Sequence, residues 1–251
     1  TAGNDNTFSF ANADGTLIGH NGVTGDTLLK WTAAGGNVAA LTVSSRFTTA
    51  KWVEFWDRRA WWANLSSGVN RLWYGDTDDI TTYGALSFYS FDADVTGIKR
   101  MANGLVIHTE ISITVLQPSG NADVPYFRND VILGEDEQGG SLSGRAIVNV
   151  PGFGQMFPRR DGIYSFTGDQ QLIKMSDKLD GARYWDNINA DRLKQSFVQV
   201  YPNRSEVWFW LPYGSGQTAM NHVMIFNYRL SRLVGEPVWY GPFTGLTRNC
   251  G

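Results

Sequence analysis

Short apolar and aromatic runs, separated by tight polar turns, recur along the whole chain. Each unit contains an aromatic strand, a short turn, a second aromatic strand and usually a third. The first strands of these units lie at 8–10, 52–56, 96–101, 155–157 and 197–201. Runs of this length that are rich in aromatic and β-branched residues indicate β-strands. The pattern therefore predicts many short strands and little helix.

The turns within these units fall near residues 15, 58, 104, 162 and 204. Their spacing of roughly 42 to 58 residues matches the length of a four-stranded propeller blade. Three of them are Asp14-Gly15, Asn103-Gly104 and Asp161-Gly162, pairs that favour tight hairpins because glycine adopts positive φ freely. We therefore predict an all-β fold, a β-propeller with about five blades.

The predicted blades cover approximately 1–47, 48–94, 95–139, 140–193 and 194–242 of one domain spanning 1–251. We expect the chain to be a single propeller domain or a fragment of a larger propeller-bearing polypeptide, since it starts with Thr-Ala-Gly and stops at Asn-Cys-Gly. A two-layer β-sandwich is the alternative architecture, but it does not account for five similar hairpins. Weak helical periodicity over 176–194 predicts a short helix or 3₁₀ turn. The polar stretches 76–83 and 134–144 predict loops.

Aromatic content is the unusual feature of the composition, with 10 Trp, 10 Tyr and 14 Phe beside 28 Gly. Alternation along a strand predicts that Trp61 and Trp62 point to opposite faces, whereas Trp208 and Trp210 share one. Packing between blades needs large side chains on both faces, so core filling explains most of these residues. A sugar-stacking platform or a protein-docking surface is the alternative for some of them.

The net charge of −3 argues against two classes of binding protein. A nucleic-acid binder held by phosphate contacts normally carries a basic stripe, and a membrane-surface binder carries a polybasic segment. No apolar run approaches the roughly 20 residues that span a bilayer. Cys250 is the only cysteine, so no internal disulfide can form.

Three carboxylates, Asp57, Glu110 and Asp161, are the candidates for glycosidase chemistry, which needs an acid and a base around one sugar bond. Asp57 and Asp161 lie at hairpin turns, where side-chain bonds to nearby backbone amides explain them better. The Ser-x-Asp-x-Gly-x-x-Trp turn of sialidase-like propellers has no copy here. We therefore predict no catalytic residue and no enzyme.

The remaining chemistry-bearing residues predict neither a metal nor a cofactor site. His20, His108 and His222 fall in different repeats without the spacing of metal ligands. The acidic run 135–137 lacks the alternating oxygen ligands of a calcium loop, and a solvated loop explains it. No phosphate-binding loop or nucleophile elbow occurs.

Two arginine pairs, Arg58-Arg59 and Arg159-Arg160, lie beside hairpin turns at what the repeat predicts to be the same position. Equivalent turns of a propeller emerge on one face, so the pairs are expected to form a weakly basic ring. Such a ring would suit docking to an acidic protein or contact with passing DNA. Solvated turns are the alternative interpretation.

Segments 104–113, 161–168 and 206–212 resemble the tail nozzle and packaged-DNA stabilisation proteins of short-tailed bacteriophages, in the same order along the chain. The resemblance implies a propeller-bearing subunit of a hexameric ring below the portal and adaptor. It implies contacts with the adaptor, the portal-proximal ring and fibres or spikes, and transient contact with genomic DNA in the exit channel. It implies assembly in the host cytoplasm into a virion tail, with no membrane association. The family has no active site to carry over.

Two other functions fit a propeller. A carbohydrate-binding or glycoside-cleaving propeller requires a central pocket with converging carboxylates and aromatic rings. A host-cell scaffold similar to WD-repeat proteins would carry Gly-His and Trp-Asp pairs, which these repeats lack. The fold alone does not decide among the three.

Overall fold

The computed structural model describes residues 7–43, 46–131, 139–168, 171–177, 179 and 184–245. These residues form twenty short strands: β1 (Ser9–Ala13), β2 (Thr16–His20), β3 (Leu29–Thr32), β4 (Ala39–Ala40), β5 (Ala50–Trp56), β6 (Arg59–Leu65), β7 (Gly68–Tyr74), β8 (Phe88–Ser90), β9 (Val95–Met101), β10 (Gly104–Thr109), β11 (Ile113–Pro118), β12 (Tyr126–Val131), β13 (Val148–Val150), β14 (Gly154–Arg159), β15 (Gly162–Phe166), β16 (Leu172–Lys174), β17 (Phe197–Tyr201), β18 (Glu206–Leu211), β19 (His222–Asn227) and β20 (Trp239–Phe243).

The twenty strands form five antiparallel sheets of four strands each, taken in chain order. Strands β1–β4 make the first sheet, β5–β8 the second, β9–β12 the third, β13–β16 the fourth and β17–β20 the fifth. This arrangement of five meanders confirms the predicted all-β propeller fold. Each sheet lies within one predicted repeat, except that the fifth sheet ends at Phe243, one residue beyond the predicted boundary at 242. Among the described residues, helix is confined to short 3₁₀ turns and to α1 (Tyr228–Val234), between β19 and β20. In the described part of 176–194 and one residue beyond it, 3₁₀ turns form at Trp185–Asn187 and Ala190–Gln195.

The turn at Asp161-Gly162 differs from the other four. The turns near residues 15, 58, 104 and 204 join the first and second strands of their sheets, whereas Asp161-Gly162 joins β14 to β15, the second and third strands. The fourth sheet begins with the three-residue strand β13, which precedes the segment predicted as its first strand. The expectation that all five turns are equivalent is therefore wrong for this sheet.

Four apolar clusters lie between successive sheets and form the core. Trp62 belongs to the cluster between the first and second sheets, and Trp61 to the cluster between the second and third. Both indoles are fully buried, and the prediction that they point in opposite directions is confirmed. Phe157 packs between the third and fourth sheets, and Phe209 between the fourth and fifth. Apolar burial between the sheets is thus the main force that holds the domain together.

Polar side chains near the ends of second strands add hydrogen bonds between neighbouring sheets. Nδ1 of His20, at the end of β2, lies 2.8 Å from the carbonyl oxygen of Ala50 in β5. The Asn64 amide, near the end of β6, donates to the carbonyl oxygen of Val95 in β9 at 2.9 Å. His108, near the end of β10, accepts from a backbone N–H that precedes β13. We call these three contacts the inter-sheet hydrogen bonds.

Gly97 marks the closest approach of β9 to the segment before β13. A Cβ at Gly97 would lie 2.6 Å from Gly144 Cα and 2.6 Å from Ile147 Cδ1. Gly97→Ala is therefore expected to lower the free energy of unfolding by about 1–3 kcal/mol, as overpacking of a core does. Urea denaturation measures this loss. Gly216→Ala is the control, because a Cβ at Gly216 meets no atom within 4 Å, and equal losses in both variants would contradict the prediction.

Candidate functional site

The first strands of all five sheets surround a cavity of about 580 Å³ on the propeller axis, which we call the axial cavity. Four charged residues are among those that line it: Glu54, Lys99, Arg100 and Arg145. The Arg100 guanidinium lies 4.0 Å from the Glu54 carboxylate. Arg145 stacks over the Phe197 ring at 5.2 Å. The volume lies within the range of sites for small molecules, about 300–1,000 Å³.

The outer face of the first sheet, turned away from the second sheet, is apolar and open. Directly opposed residues share a face, so the pairings Phe10↔Gly19 and Leu17↔Trp31 place all four on this side. Phe10 is 52% exposed and Trp31 is 37% exposed. The ring of Phe10 lies over Gly19, whose missing Cβ leaves room for it.

The outer face of the fifth sheet has its own apolar cluster. Trp210 and Ile225 are buried there, and partly buried Trp208 packs beside them, so the prediction that Trp208 and Trp210 share a face is confirmed. Tyr240 and Phe243 remain about 40% exposed. Among the described residues, this cluster draws only on the chain between Phe197 and Ile225 and includes no residue of the first sheet.

The two arginine pairs do not form one basic ring. Arg58 and Arg59 lie at the turn between the first and second strands of their sheet, whereas Arg159 and Arg160 lie between the second and third strands of theirs. In antiparallel meanders these two kinds of turn lie at opposite ends of the strands, and therefore on opposite faces of the propeller. The expectation that the two arginine pairs occupy equivalent turns is therefore wrong, because the fourth sheet begins one strand earlier than the sequence pattern indicates.

The members of each pair also differ in accessibility. Arg59 donates to the carbonyl oxygen of Gly75 at 2.7 Å, and exposed Arg58 forms an ion pair with Asp78. This contact raises the pKa of Arg58 through the hydrogen bond to that carboxylate. Arg159 is buried and stacks over the Tyr164 ring at 4.5 Å. Arg58 and Arg160 are exposed and Arg59 is half-buried, so Arg159 is the one arginine of the four that is closed to a docking partner.

The carboxylates considered for glycosidase chemistry lie on three different hairpins. Asp57 accepts a hydrogen bond from the Tyr126 hydroxyl at 2.8 Å, and Asp161 accepts one from the Tyr164 hydroxyl. Burial, together with the Asp57 carboxylate, raises the pKa of Tyr126. Glu110 is exposed between β10 and β11. Among the described residues that line the axial cavity, Glu54 is the only carboxylate.

The three histidines lie at separate places in the fold and do not form a common site. His20 and His108 belong to the inter-sheet hydrogen bonds, and His222 stacks on the Tyr213 ring at 4.1 Å between centroids. In the described part of the chain, no three His, Cys, Asp or Glu side chains form a group able to hold a metal ion. The acidic run 135–137 and Cys250 lie outside the described residues. No helix of the described ranges is long and apolar enough to cross a membrane.

Comparisons with known proteins identify the fold of the chain but not its family or its function. No family model and no curated protein sequence matches the chain. Among solved structures, Saccharomyces cerevisiae Sqt1 is similar with a TM-score of 0.58 at 10% identity, over 96% of this chain and 63% of Sqt1. Kluyveromyces marxianus Hsv2 matches with a TM-score of 0.51 at 12% identity, over 97% of this chain and 66% of Hsv2.

The computationally designed protein Ika8 gives the same TM-score of 0.51 at 11% identity, over 97% of this chain and 61% of Ika8. The chain therefore spans less than two thirds of the length of these structures. The likeness to Hsv2 and Sqt1 supports the propeller fold. At such low identity it says nothing of function.

Proposed function

We propose that the chain is a structural subunit of the tail of a short-tailed bacteriophage, a nozzle-like ring component that docks to neighbouring tail proteins. The observation that carries this proposal is the open apolar face of the first sheet, where Phe10 and Trp31 stand exposed on a four-stranded surface. Every sheet face between two sheets of this chain is covered by its neighbour. Contiguous exposed apolar surface of this kind marks sites of protein contact.

The resemblance of 104–113, 161–168 and 206–212 to nozzle proteins supports the choice of partners, namely the adaptor, the portal-proximal ring and fibres or spikes. In this proposal the subunits form a homo-hexamer in the virion, assembled in the host cytoplasm. The genome passes along the axis of that ring. The axial cavity of one propeller, at about 580 Å³, is of small-molecule size and serves no such passage.

Trp31→Ala is expected to weaken self-association or docking of the chain by about tenfold or more. An interfacial indole contributes more binding energy than most residues because it buries a large apolar area. Sedimentation velocity over a concentration series, alone and with purified adaptor and portal-ring proteins, measures the change. Lys30→Ala is the matched control, because the adjacent side chain on β3 points to the opposite face. Equal association of both variants would contradict docking through this face.

Location in the virion is tested by electron microscopy of particles purified from the source of this sequence. Gold-labelled antibodies against the chain are expected at the tail vertex, and a six-fold ring is expected in averaged tails. Label absent from intact particles would overturn the proposal, as would a chain that remains monomeric with every tail protein of the particle.

A further inference from the structure

The helix α1 presents an apolar surface to solvent. Leu230, Leu233 and Val234 are spaced i, i+3 and i+4, so they lie on one side of the helix, and we call them the apolar stripe. All three are exposed, Leu233 at 72% and Val234 at 59%. An amphipathic helix of a folded domain normally turns such a stripe toward the core. The buried residue of α1 is instead Ser231, and no apolar cluster of the described residues includes the stripe.

Hydrogen bonds at both ends hold α1 in this orientation. The Asn227 side chain accepts from the Leu230 N–H at 2.9 Å, and the N–H of left-handed Gly235 donates to the Ser231 carbonyl oxygen at 3.0 Å. The Ser231 hydroxyl donates to the Asn227 carbonyl oxygen at 2.7 Å and accepts from the Val238 N–H at 2.8 Å. A helix of seven residues is marginal in isolation. These bonds fix it on the fifth sheet, so the apolar stripe stays on the outside.

Two arginines lie beside the apolar stripe. Arg229 and Arg232 both line a groove of about 410 Å³ between α1 and the β17–β18 turn at Ser205. Leu233 lines the same groove, so cationic and apolar groups meet in it. A Cβ at Gly152, between β13 and β14, would lie 3.3 Å from Arg232 Cδ, so the Arg232 stem packs along the fourth sheet. Both arginines are exposed, and among the described residues no carboxylate forms an ion pair with either.

The charge of this surface decides between its possible occupants. A second copy of the chain, packed stripe to stripe, would bring the arginines of the two copies together, and like charges repel at close distance. An anionic bilayer would meet only a seven-residue helix, on a chain whose net charge of −3 opposes the approach. A protein segment with carboxylates beside apolar side chains complements the stripe and the arginines together, and it contacts this surface alone.

We infer that α1 is a docking site for an acidic amphipathic segment of a partner protein. Leu230, Leu233 and Val234 pack against the apolar side chains of that segment, in the spacing by which amphipathic segments are recognised. Arg229 and Arg232 bind its carboxylates, for which the planar guanidinium is suited. The inference depends neither on the open face of the first sheet nor on the proposed tail function.

Fluorescence anisotropy with a labelled amphipathic peptide of about 14 residues, leucine on one face and glutamate on the other, tests the site. We expect saturable binding of one peptide per chain, which weakens as salt is raised. Arg232→Glu is expected to weaken it about tenfold or more, because attraction becomes repulsion. Leu233→Ser is expected to weaken it about tenfold, because apolar contact area is lost. Lys30→Glu, the same charge change at an exposed position of the first sheet, is expected to leave binding unchanged.

Circular dichroism on each variant establishes that it is folded before the titrations are compared. Absence of saturable binding by the folded wild-type chain at millimolar peptide would overturn the inference. Equal weakening by Arg232→Glu and Lys30→Glu would also overturn it, because binding would then follow the overall charge of the protein. A peptide with serine for every leucine is expected to bind more weakly, and equal binding would contradict apolar docking.

Cosedimentation with vesicles of phosphatidylserine and phosphatidylcholine tests the other occupant. We expect no more binding of the wild-type chain to these vesicles than of Leu233→Ser. Vesicle binding that Leu233→Ser and Arg232→Glu abolish, in a chain that does not bind the glutamate peptide, would assign α1 to a membrane surface and overturn the inference.

Discussion

Trp61→Ala is expected to lower the free energy of unfolding by about 3–5 kcal/mol, the usual range for removal of a buried large aromatic side chain. The indole is fully buried between the second and third sheets. Its ring lies 4.9 Å from that of Tyr126 and 5.1 Å from that of Tyr74. The variant would leave a cavity there, and the carbonyl oxygen of Trp56 would lose the N–H donor that now lies 3.0 Å away.

Urea denaturation followed by circular dichroism measures the effect, at concentrations where the chain does not associate. Trp31→Ala removes the same side chain from the open face of the first sheet, where it belongs to no apolar cluster among the described residues. We expect that variant to lose less than about 1 kcal/mol, as surface substitutions do. Comparable losses at Trp61 and Trp31 would mean that packing between the sheets is not the main source of stability.

Acidification from pH 6.5 to pH 4 is expected to destabilise the fold by about 3 kcal/mol through His108 alone. Its ring is fully buried, 4.8 Å from that of Phe157. Nδ1 accepts from the Ser141 N–H at 3.1 Å, so Nε2 carries the proton and faces Gln155 Oε1 at 3.1 Å. Protonation would place a second N–H against the Ser141 donor, so the site accepts only neutral histidine.

Burial lowers the pKa of His108 from 6.5 to about 4, while the hydrogen bond to Gln155 opposes part of that shift. In the unfolded chain the ring takes up its proton near pH 6.5, so the unfolded state binds more protons between pH 6.5 and 4. The stabilising contribution is therefore complete above pH 6.5. It decreases as the pH falls, until the folded ring is also protonated near pH 4. Hydrogen bonds from Thr81 and Thr82 lower the pKa of Asp79 to about 2, so its stabilising contribution is lost mainly below pH 4.

His108→Gln separates this effect from other sources of acid sensitivity. Glutamine cannot titrate, so the variant is expected to lose less stability between pH 6.5 and 4 than the wild-type chain, whatever its stability at pH 7. The comparison uses urea midpoints measured at half-unit pH steps. His222→Gln serves as the control, because burial also lowers the pKa of His222, but this residue is only partly buried. Parallel pH profiles for His108→Gln and wild type would contradict the assignment.

The fold could be predicted from the sequence because its signals are local. Alternating aromatic residues identified the strands around Trp52 and Trp208, and Asn-Gly or Asp-Gly pairs identified tight turns. The same local character explains the error in the fourth sheet. An Asp-Gly pair specifies a tight hairpin but not which hairpin of a sheet it closes, and β13 is too short to show a period.

The contacts between sheets could not be predicted from the sequence. His20, Asn64 and His108 are single polar residues at strand ends, and their partners lie about 30 residues further along the chain. Nothing in the period of a strand shows that such a residue is buried. The axial cavity was missed for a similar reason, since Glu54, Lys99 and Arg145 come from separate repeats that only the curvature of the stack brings together.

The four clusters between successive sheets give the domain the character of a linear array, in which each sheet is stabilised by its immediate neighbours. In such an array the position of a lesion matters as much as its size. A defect at the first sheet shortens the cooperative unit by one element. A defect at Trp61, between the second and third sheets, instead divides the domain into a unit of two sheets and a unit of three sheets. Neither unit retains the cooperative coupling that spans all five sheets.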